Sequence, residues 1–387
     1  MGGERIELPE LQAQGECAER FAPLREALET NLRSGAELGA SITVVIDGET
    51  VVDLWGGHRD AARGAPWERD TIVNVWSTTK AVMNLAALML ADRGELDLDA
   101  PVARYWPAFG AAGKRGVLVR HVMSHTSGVS AWRVPVSIED LYDWEHSTAL
   151  LADQDPFWEP GTVAGYHSFT QGHLLGELVR RVTGLSLKRF VDLEIAQPLE
   201  ADFQIGARER DWQRIAEIVP PQQEPEEDAP PSDFDRFPEV RAEVANSADW
   251  RRAEIGAANG HGNARSVARN MQALAQDGEA GGVRLLSAAT IARIFEVQAD
   301  GVDLVFHEPL RWGLGYALPQ PLTLPHIPEG RICFWGGWGG SMIIMDLERR
   351  LTVAYVMNRM LSPAIIGSEV SAPYVTAVYQ ALRAGGR

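Results

Sequence analysis

Residues 73–94, VNVWSTTKAVMNLAALMLADRG, are apolar at almost every position after Lys80. That is the pattern of a helix buried on most of its surface, not of an amphipathic one. Upstream, residues 11–33 carry apolar positions at helical spacing and lead into Arg33-Ser34-Gly35, which predicts a helix with a glycine stop. The next run, GASITVVIDGETVVDLWGG, sets two β-rich segments around Asp47-Gly48-Glu49 and predicts a hairpin over about 38–57. Near the other terminus, RICFWGG, GSMIIMDLERR and LTVAYVMNR read as three more strands with a turn at DLERR, and residues 372–384 as a closing helix. Between about 95 and 290 the pattern is mainly helical, broken by Gly and Pro, as in GHLLGELVRRVTG and SVARNMQALAQDG.

Strands at both ends and helices between them predict an α+β fold. Residues 1–95 and 291–387 would form an antiparallel sheet flanked by the terminal helices, with a mainly helical domain, 96–290, inserted. The Pro-rich, acidic stretch 220–239, PPQQEPEEDAPPSDFDRFPE, reads as a surface loop, either a lid or a solvated connection. No internal repeat is present.

Charge narrows the function classes. The 387 residues carry 53 acidic and 36 basic side chains, a net charge of -17, so neither a nucleic-acid backbone nor an anionic membrane is an expected partner. The first residues lack the basic-then-apolar layout of a secretory signal, and the apolar helix after Ser77 is interrupted by Asn84 and too short to span a bilayer. A cytoplasmic protein is expected, and a homo-oligomer is left open. Cys17 and Cys333, the two cysteines, make neither a disulfide framework nor a zinc site. No His-Glu-x-x-His, Gly-x-Ser-x-Gly or phosphate-binding glycine loop occurs, so the expectation is no metal, no cofactor and no α/β-hydrolase fold.

Lysine usage directs attention to one tetrad. Only Lys80, Lys114 and Lys188 occur, and Ser77-Thr78-Thr79-Lys80 is the single Ser-x-x-Lys among 18 serines. Residues three apart share a helix face, about 5–6 Å between Cβ atoms, so the ammonium can reach the Ser77 hydroxyl. A desolvated lysine loses its proton readily and can activate a serine. At a helix start the backbone N–H groups would also face a developing oxyanion. Taken alone, the tetrad is equally compatible with an N-cap serine and an outward-reaching lysine. Two further stretches bear on the choice. Tyr166-His167-Ser168 precedes a helix, and a phenol near Lys80 could act as general base and then acid; an ordinary core tyrosine has the same pattern. Gly336, Gly337, Gly339 and Gly340 in FWGGWGGSMIIMD let a strand edge approach a ligand or, equally, enter a turn.

Together these segments resemble the serine β-lactamase-like hydrolases, which include class C β-lactamases, D-Ala-D-Ala carboxypeptidases and family VIII carboxylesterases. STTK resembles the family's Ser-x-x-Lys, YHS its Tyr-x-Asn, and WGG at 335–337 its Lys-Thr-Gly. The flanking LMLADRGELDLDAPVARYWP, VRHVMSHTSGV and WEPGTVAGYHSFTQGHLLGELVRRVTGLSL are similar too. The resemblance covers roughly 35–360 and implies an active site in the crevice between sheet and helical domain. It implies Ser77 as nucleophile, Lys80 as activator, Tyr166 as acid/base, and an oxyanion hole from the backbone N–H groups of Ser77 and Trp338. Ser168, Trp335, Gly336 and Gly337 would contact substrate. His125 would belong to a structural turn, and His167 stays outside the core assignment. Trp335 replaces the lysine that pairs with a substrate carboxylate, and Ser168 replaces an asparagine. Both departures favour the esterase branch, with Trp76, Trp335 and Trp338 as apolar walls. The expected activity is hydrolysis of small to medium carboxylic esters through an acyl-enzyme. Amide, β-lactam or D-amino-acid peptide cleavage, acyl transfer, and a non-catalytic binding role are the alternatives.

Overall fold

The computed structural model describes residues 11–221, 234, 238–360 and 371–384. The stretch 220–239 lies largely outside them. Nine antiparallel strands form the main sheet: β1 (Gln14–Cys17), β2 (Gly39–Ile46), β3 (Glu49–Gly57), β4 (Ala299–Val302), β5 (Pro309–Trp312), β6 (Ala317–Leu318), β7 (Ile332–Gly336), β8 (Met342–Asp346) and β9 (Leu351–Met357), in the order β1-β3-β2-β9-β8-β7-β6-β5-β4. The two chain ends meet where β2 pairs with β9, Ile42 opposite Tyr355. Both strands are buried at every residue, so both faces of the sheet's centre are covered. The β2–β3 turn has Asp47 at φ 51° and Gly48 at φ 82°. Two successive positive values are the type I′ geometry, which matches the twist of the paired strands.

The helix expected over 11–33 divides in two. Residues 14–17 form β1 against β3, and the helix α1 spans Ala22–Ser34, with Pro23 in its first turn and Gly35 closing it at φ 78°. Gly15, at φ 96°, lies against the Asp53 carbonyl and the Trp55 ring with no room for a side chain. Proline at a helix start and a backbone that only glycine adopts mark the division.

Helix α2 (Thr79–Asp92) is buried along Thr79–Leu90. It lies against α3 (Thr170–Thr183) and α4 (Ala264–Ala275). Contact with helices on more than one side explains why its sequence lacks a polar stripe. α4 falls within 96–290 yet packs on β2, β8 and β9, while α5 (Ser371–Ala384) packs on α1. No helix among the described residues is long and apolar enough to cross a membrane.

Candidate active site

The chain reaches α2 through a strained turn. Val73–Asn74 pairs with Gly260–Gly262, which pairs in turn with Gln204–Ile205. Trp76 then adopts φ 47°, a left-handed conformation that costs a bulky residue on the order of 1 kcal/mol or more. Its carbonyl accepts the Thr79 N–H at 2.9 Å, and the Ser77 carbonyl accepts the Lys80 N–H at 2.9 Å. Ser77, 7% exposed, therefore sits at the mouth of the helix, one turn before Lys80. Among the described residues, the Ser77 and Trp338 backbone N–H groups have no acceptor in the protein.

Lys80 is 1% exposed. Its Nζ donates to Ser77 Oγ at 3.1 Å, to the Ser168 carbonyl at 2.7 Å and to the Ala257 carbonyl at 2.9 Å. It also lies 4.8 Å from the centroid of the Tyr166 ring. Carbonyls from two distant segments thus aim the ammonium at the hydroxyl and replace the hydration that burial removes. Ser77, Lys80 and Tyr166, the last far from the others in sequence, converge on one buried spot. Ser168 joins them through its backbone carbonyl.

The third motif closes against the same turn. Gly336 ends β7, and Gly337–Gly340 turn the chain into β8, with the Gly337 N–H on the Ser341 carbonyl at 2.7 Å. A Cβ at Gly337 would run into the Val75 carbonyl and the Ser341 hydroxyl and lie 3.2 Å from Ser77 N; the backbone approaches this closely because glycine has no side chain. Ser341 fixes the approach, its Oγ donating to the Val75 carbonyl at 2.8 Å and lying 3.0 Å from Thr78 Oγ1. Trp338 is partly exposed and meets Trp76 edge-on at 5.0 Å.

Trp335 faces inward, 2% exposed. Its indole N–H donates to Tyr166 Oη at 3.3 Å, so it backs the phenol. Trp76, also 2% exposed, is packed between Trp250 and Trp338. The phenol ring is enclosed further by Phe306, Trp312 and His125, with centroids at 4.8, 6.2 and 4.9 Å.

Both histidines near the site are buried and neutral. Burial, then the repulsion that a charged His167 and Lys80 would exert, hold His125 well below the ordinary imidazole range; its Nδ1 accepts the His167 N–H at 3.0 Å. Burial pushes His167 down to about 3. Its Nδ1–H donates to the Gly165 carbonyl at 2.6 Å, which leaves Nε2 to accept from Ser127 Oγ at 2.6 Å. These bonds shape the loop that carries Tyr166, in keeping with the structural turn expected for His125. Phe306, Trp312 and the Ala257 carbonyl carry no sequence signal, since none belongs to a motif and a carbonyl has no residue signature.

A profile of the Beta-lactamase family matches residues 24–367. The esterase/beta-lactamase LipL of Mycobacterium tuberculosis is 35% identical over 372 residues, covering 91% of this chain and 84% of LipL. The crystal structure of a family VIII carboxylesterase superposes with a TM-score of 0.89 at 39% identity, over 96% of this chain and 100% of that one. A penicillin-binding protein homologue from Caulobacter crescentus superposes with a TM-score of 0.86 at 36% identity, over 95% and 99%. The profile match, spanning the turn at Ser77, the Tyr166 loop and the β7–β8 glycines together, makes this chain a member of the Beta-lactamase family.

Proposed function

We propose that the protein is a serine hydrolase that cleaves carboxylic esters with apolar acyl or alcohol groups in two steps. The observation that carries this reading is the Lys80 Nζ to Ser77 Oγ bond of 3.1 Å, made inside the protein by an ammonium whose other acceptors include two backbone carbonyls. Ser77 Oγ attacks the ester carbonyl while the coupled pair Lys80 and Tyr166, in the form that has lost one proton to solvent, takes up the serine proton on the amine or the phenolate. The Ser77 and Trp338 N–H groups, which have no internal acceptor among the described residues, receive the oxyanion. Tyr166 returns the proton to the departing alcohol, and water then releases the acid from Ser77 by the same route. Balanced over the cycle, one ester and one water become one acid and one alcohol.

Ester over β-lactam preference is supported by the position of Trp335. The position that the family resemblance gives to a carboxylate-binding lysine holds a buried indole bonded to Tyr166, so that position offers no cation to an acidic substrate. The likeness to a family VIII carboxylesterase supports the same choice. The name of LipL includes both activities, which keeps β-lactam cleavage as the second reading. Hydrolysis of p-nitrophenyl butyrate and of a chromogenic cephalosporin, by wild type and Ser77→Ala, tests the proposal. Ester turnover that falls at least about 10⁴-fold in folded Ser77→Ala, with little cephalosporin cleavage by wild type, is expected. Cephalosporin as the better substrate would reverse the preference, and unchanged turnover in Ser77→Ala would remove the nucleophile.

A further inference from the structure

Behind Tyr166 lies a carboxylate that no motif includes. Asp303 follows β4 and is fully buried. Its Oδ1 accepts three backbone N–H groups, from Tyr166 at 3.1 Å, Val305 at 2.9 Å and Phe306 at 3.2 Å. Its Oδ2 accepts the Trp312 indole N–H at 3.2 Å. The four donors are neutral, and three of them belong to Tyr166 itself or to rings that enclose its phenol. Phe306 stacks on that ring at 4.8 Å and 30°, and Trp312 lies parallel to it within 9° at 6.2 Å. Trp312 also packs at 4.7 Å on Trp335, the residue whose N–H meets the phenol oxygen.

A purely structural acid has easier solutions. Burying a carboxylate is costly, and it persists only where hydrogen bonds to the charged form replace its hydration. A turn that needed closing between β4 and β5 would be served by the local bonds alone, from Val305 and Phe306. The bond to Tyr166, 137 residues away, and the bond to Trp312 on β5 extend beyond the turn. The Leu304 N–H adds a second tie to the same distant loop, on the Ala164 carbonyl at 3.0 Å. Asp303 therefore links the backbone of the proton-transfer residue to two of the rings that set its side-chain direction.

We infer that Asp303 is a positioning residue for the reaction, holding Tyr166 and its ring enclosure so that the phenol stays in reach of Ser77 and Lys80. The inference rests on the reading of Tyr166 as acid/base. Misplacement of a reacting group by about 1 Å costs on the order of 10²-fold in rate, so the effect belongs in kcat and not in KM. Asp303→Asn keeps an acceptor toward the three backbone N–H groups but turns an NH₂ toward the Trp312 N–H. Trp312→Phe keeps the carboxylate, removes the bond to Oδ2 and leaves a smaller ring against Tyr166 and Trp335.

The test is p-nitrophenyl butyrate kinetics of wild type, Asp303→Asn, Trp312→Phe, Tyr166→Phe and the double variant Tyr166→Phe/Asp303→Asn. Each preparation is normalised to the fraction of molecules whose serine is labelled to completion by a fluorophosphonate. Expected is a loss in kcat per labelled site of about 10- to 100-fold for Asp303→Asn, a smaller loss for Trp312→Phe, and KM little changed. In the double variant, Asp303→Asn should cost nothing beyond Tyr166→Phe, because residues acting as one unit are non-additive. Wild-type kcat per labelled site in Asp303→Asn, or losses that multiply in the double variant, would overturn the positioning role. If Asp303→Asn does not fold, an unchanged kcat in Trp312→Phe overturns it instead. Wild-type turnover by Tyr166→Phe would fail the acid/base reading first, a result that the Asp303 variants cannot mimic.

Discussion

Lys80 and Lys114 are both interior lysines, at 1% and 0% exposure, and they are held in nearly the same way. Each Nζ donates to backbone carbonyls, of Ser168 and Ala257 for Lys80 and of Ala111, Ala152 and Gln154 for Lys114. Each lies over an aromatic ring, Tyr166 at 4.8 Å and Phe109 at 5.2 Å. The difference is what else the ammonium meets. Beside Lys80 stand the Ser77 hydroxyl and a phenol, groups that exchange protons; beside Lys114 the third acceptor is another carbonyl and the ring is a phenyl. A buried lysine in a carbonyl cradle is therefore a structural device that this fold uses twice, and under the proposed function only the cradle that also meets a hydroxyl and a phenol does chemistry.

Substituting the two lysines in parallel is the most direct way to break that comparison. Lys80→Met should lower ester turnover per labelled serine by about 10²–10⁴-fold, the range for losing general acid–base catalysis. An equal loss in Lys114→Met would show that the cradle, and not its neighbours, matters. The comparison sharpens with Glu37, a buried carboxyl remote from Ser77 whose Oε1 accepts from Tyr374 Oη at 2.5 Å. Burial pushes it up to about 7 from an ordinary 4.5. The native state then holds this proton in a pH range where the unfolded chain has released it. Stability from this group is complete below pH 4.5, falls as pH rises through 4.5 to 7, and is level above, with a total on the order of 3 kcal/mol. Buried histidines such as His167, held low by burial, make stability rise with pH in both proteins. Denaturant titrations at several pH values should therefore show wild type losing stability relative to Glu37→Gln between pH 4.5 and 7, with turnover per labelled serine unchanged. The smallest effect is expected for Lys114→Met itself. Orphaned carbonyls should lower stability by about 1–3 kcal/mol, partly offset because a charge no longer has to be buried. Burial already holds the Lys114 ammonium below the ordinary lysine range, against the charges of Asp153 and Asp155. Its melting temperature should drop while turnover per labelled serine stays at the wild-type level.

Local signals specify much of the fold. Asp47-Gly48 marks a turn that closes as type I′, and the unbroken apolar run after Lys80 marks a helix buried on most sides. The three C-terminal strands appear where their apolar runs lie, at Ile332–Gly336, Met342–Asp346 and Leu351–Met357. Where the structure departs from the local pattern, the deciding contact is distant. Residues 14–17 have helical spacing yet pair with β3, because a free strand edge is available to them and Gly15 fits flush against it. Motif position alone leaves open which group the Trp335 indole meets, because that depends on which face of β7 the Tyr166 loop covers.

The sequence by itself determined which groups are available: one Ser-x-x-Lys among three lysines, a tyrosine before a helix, and glycines where two backbones touch. These are local, since spacing along a helix or the lack of a Cβ acts within a few residues. Tertiary structure alone decided which groups meet. Ala257 and Ser168 lend carbonyls to Lys80, Trp335 lends an N–H to Tyr166, and Asp303 gathers Tyr166, Phe306 and Trp312. The physical reason is that a carbonyl, an indole N–H or a lone carboxylate looks the same anywhere in a chain. Its role follows from the donor or acceptor that packing brings within hydrogen-bond distance once water is excluded.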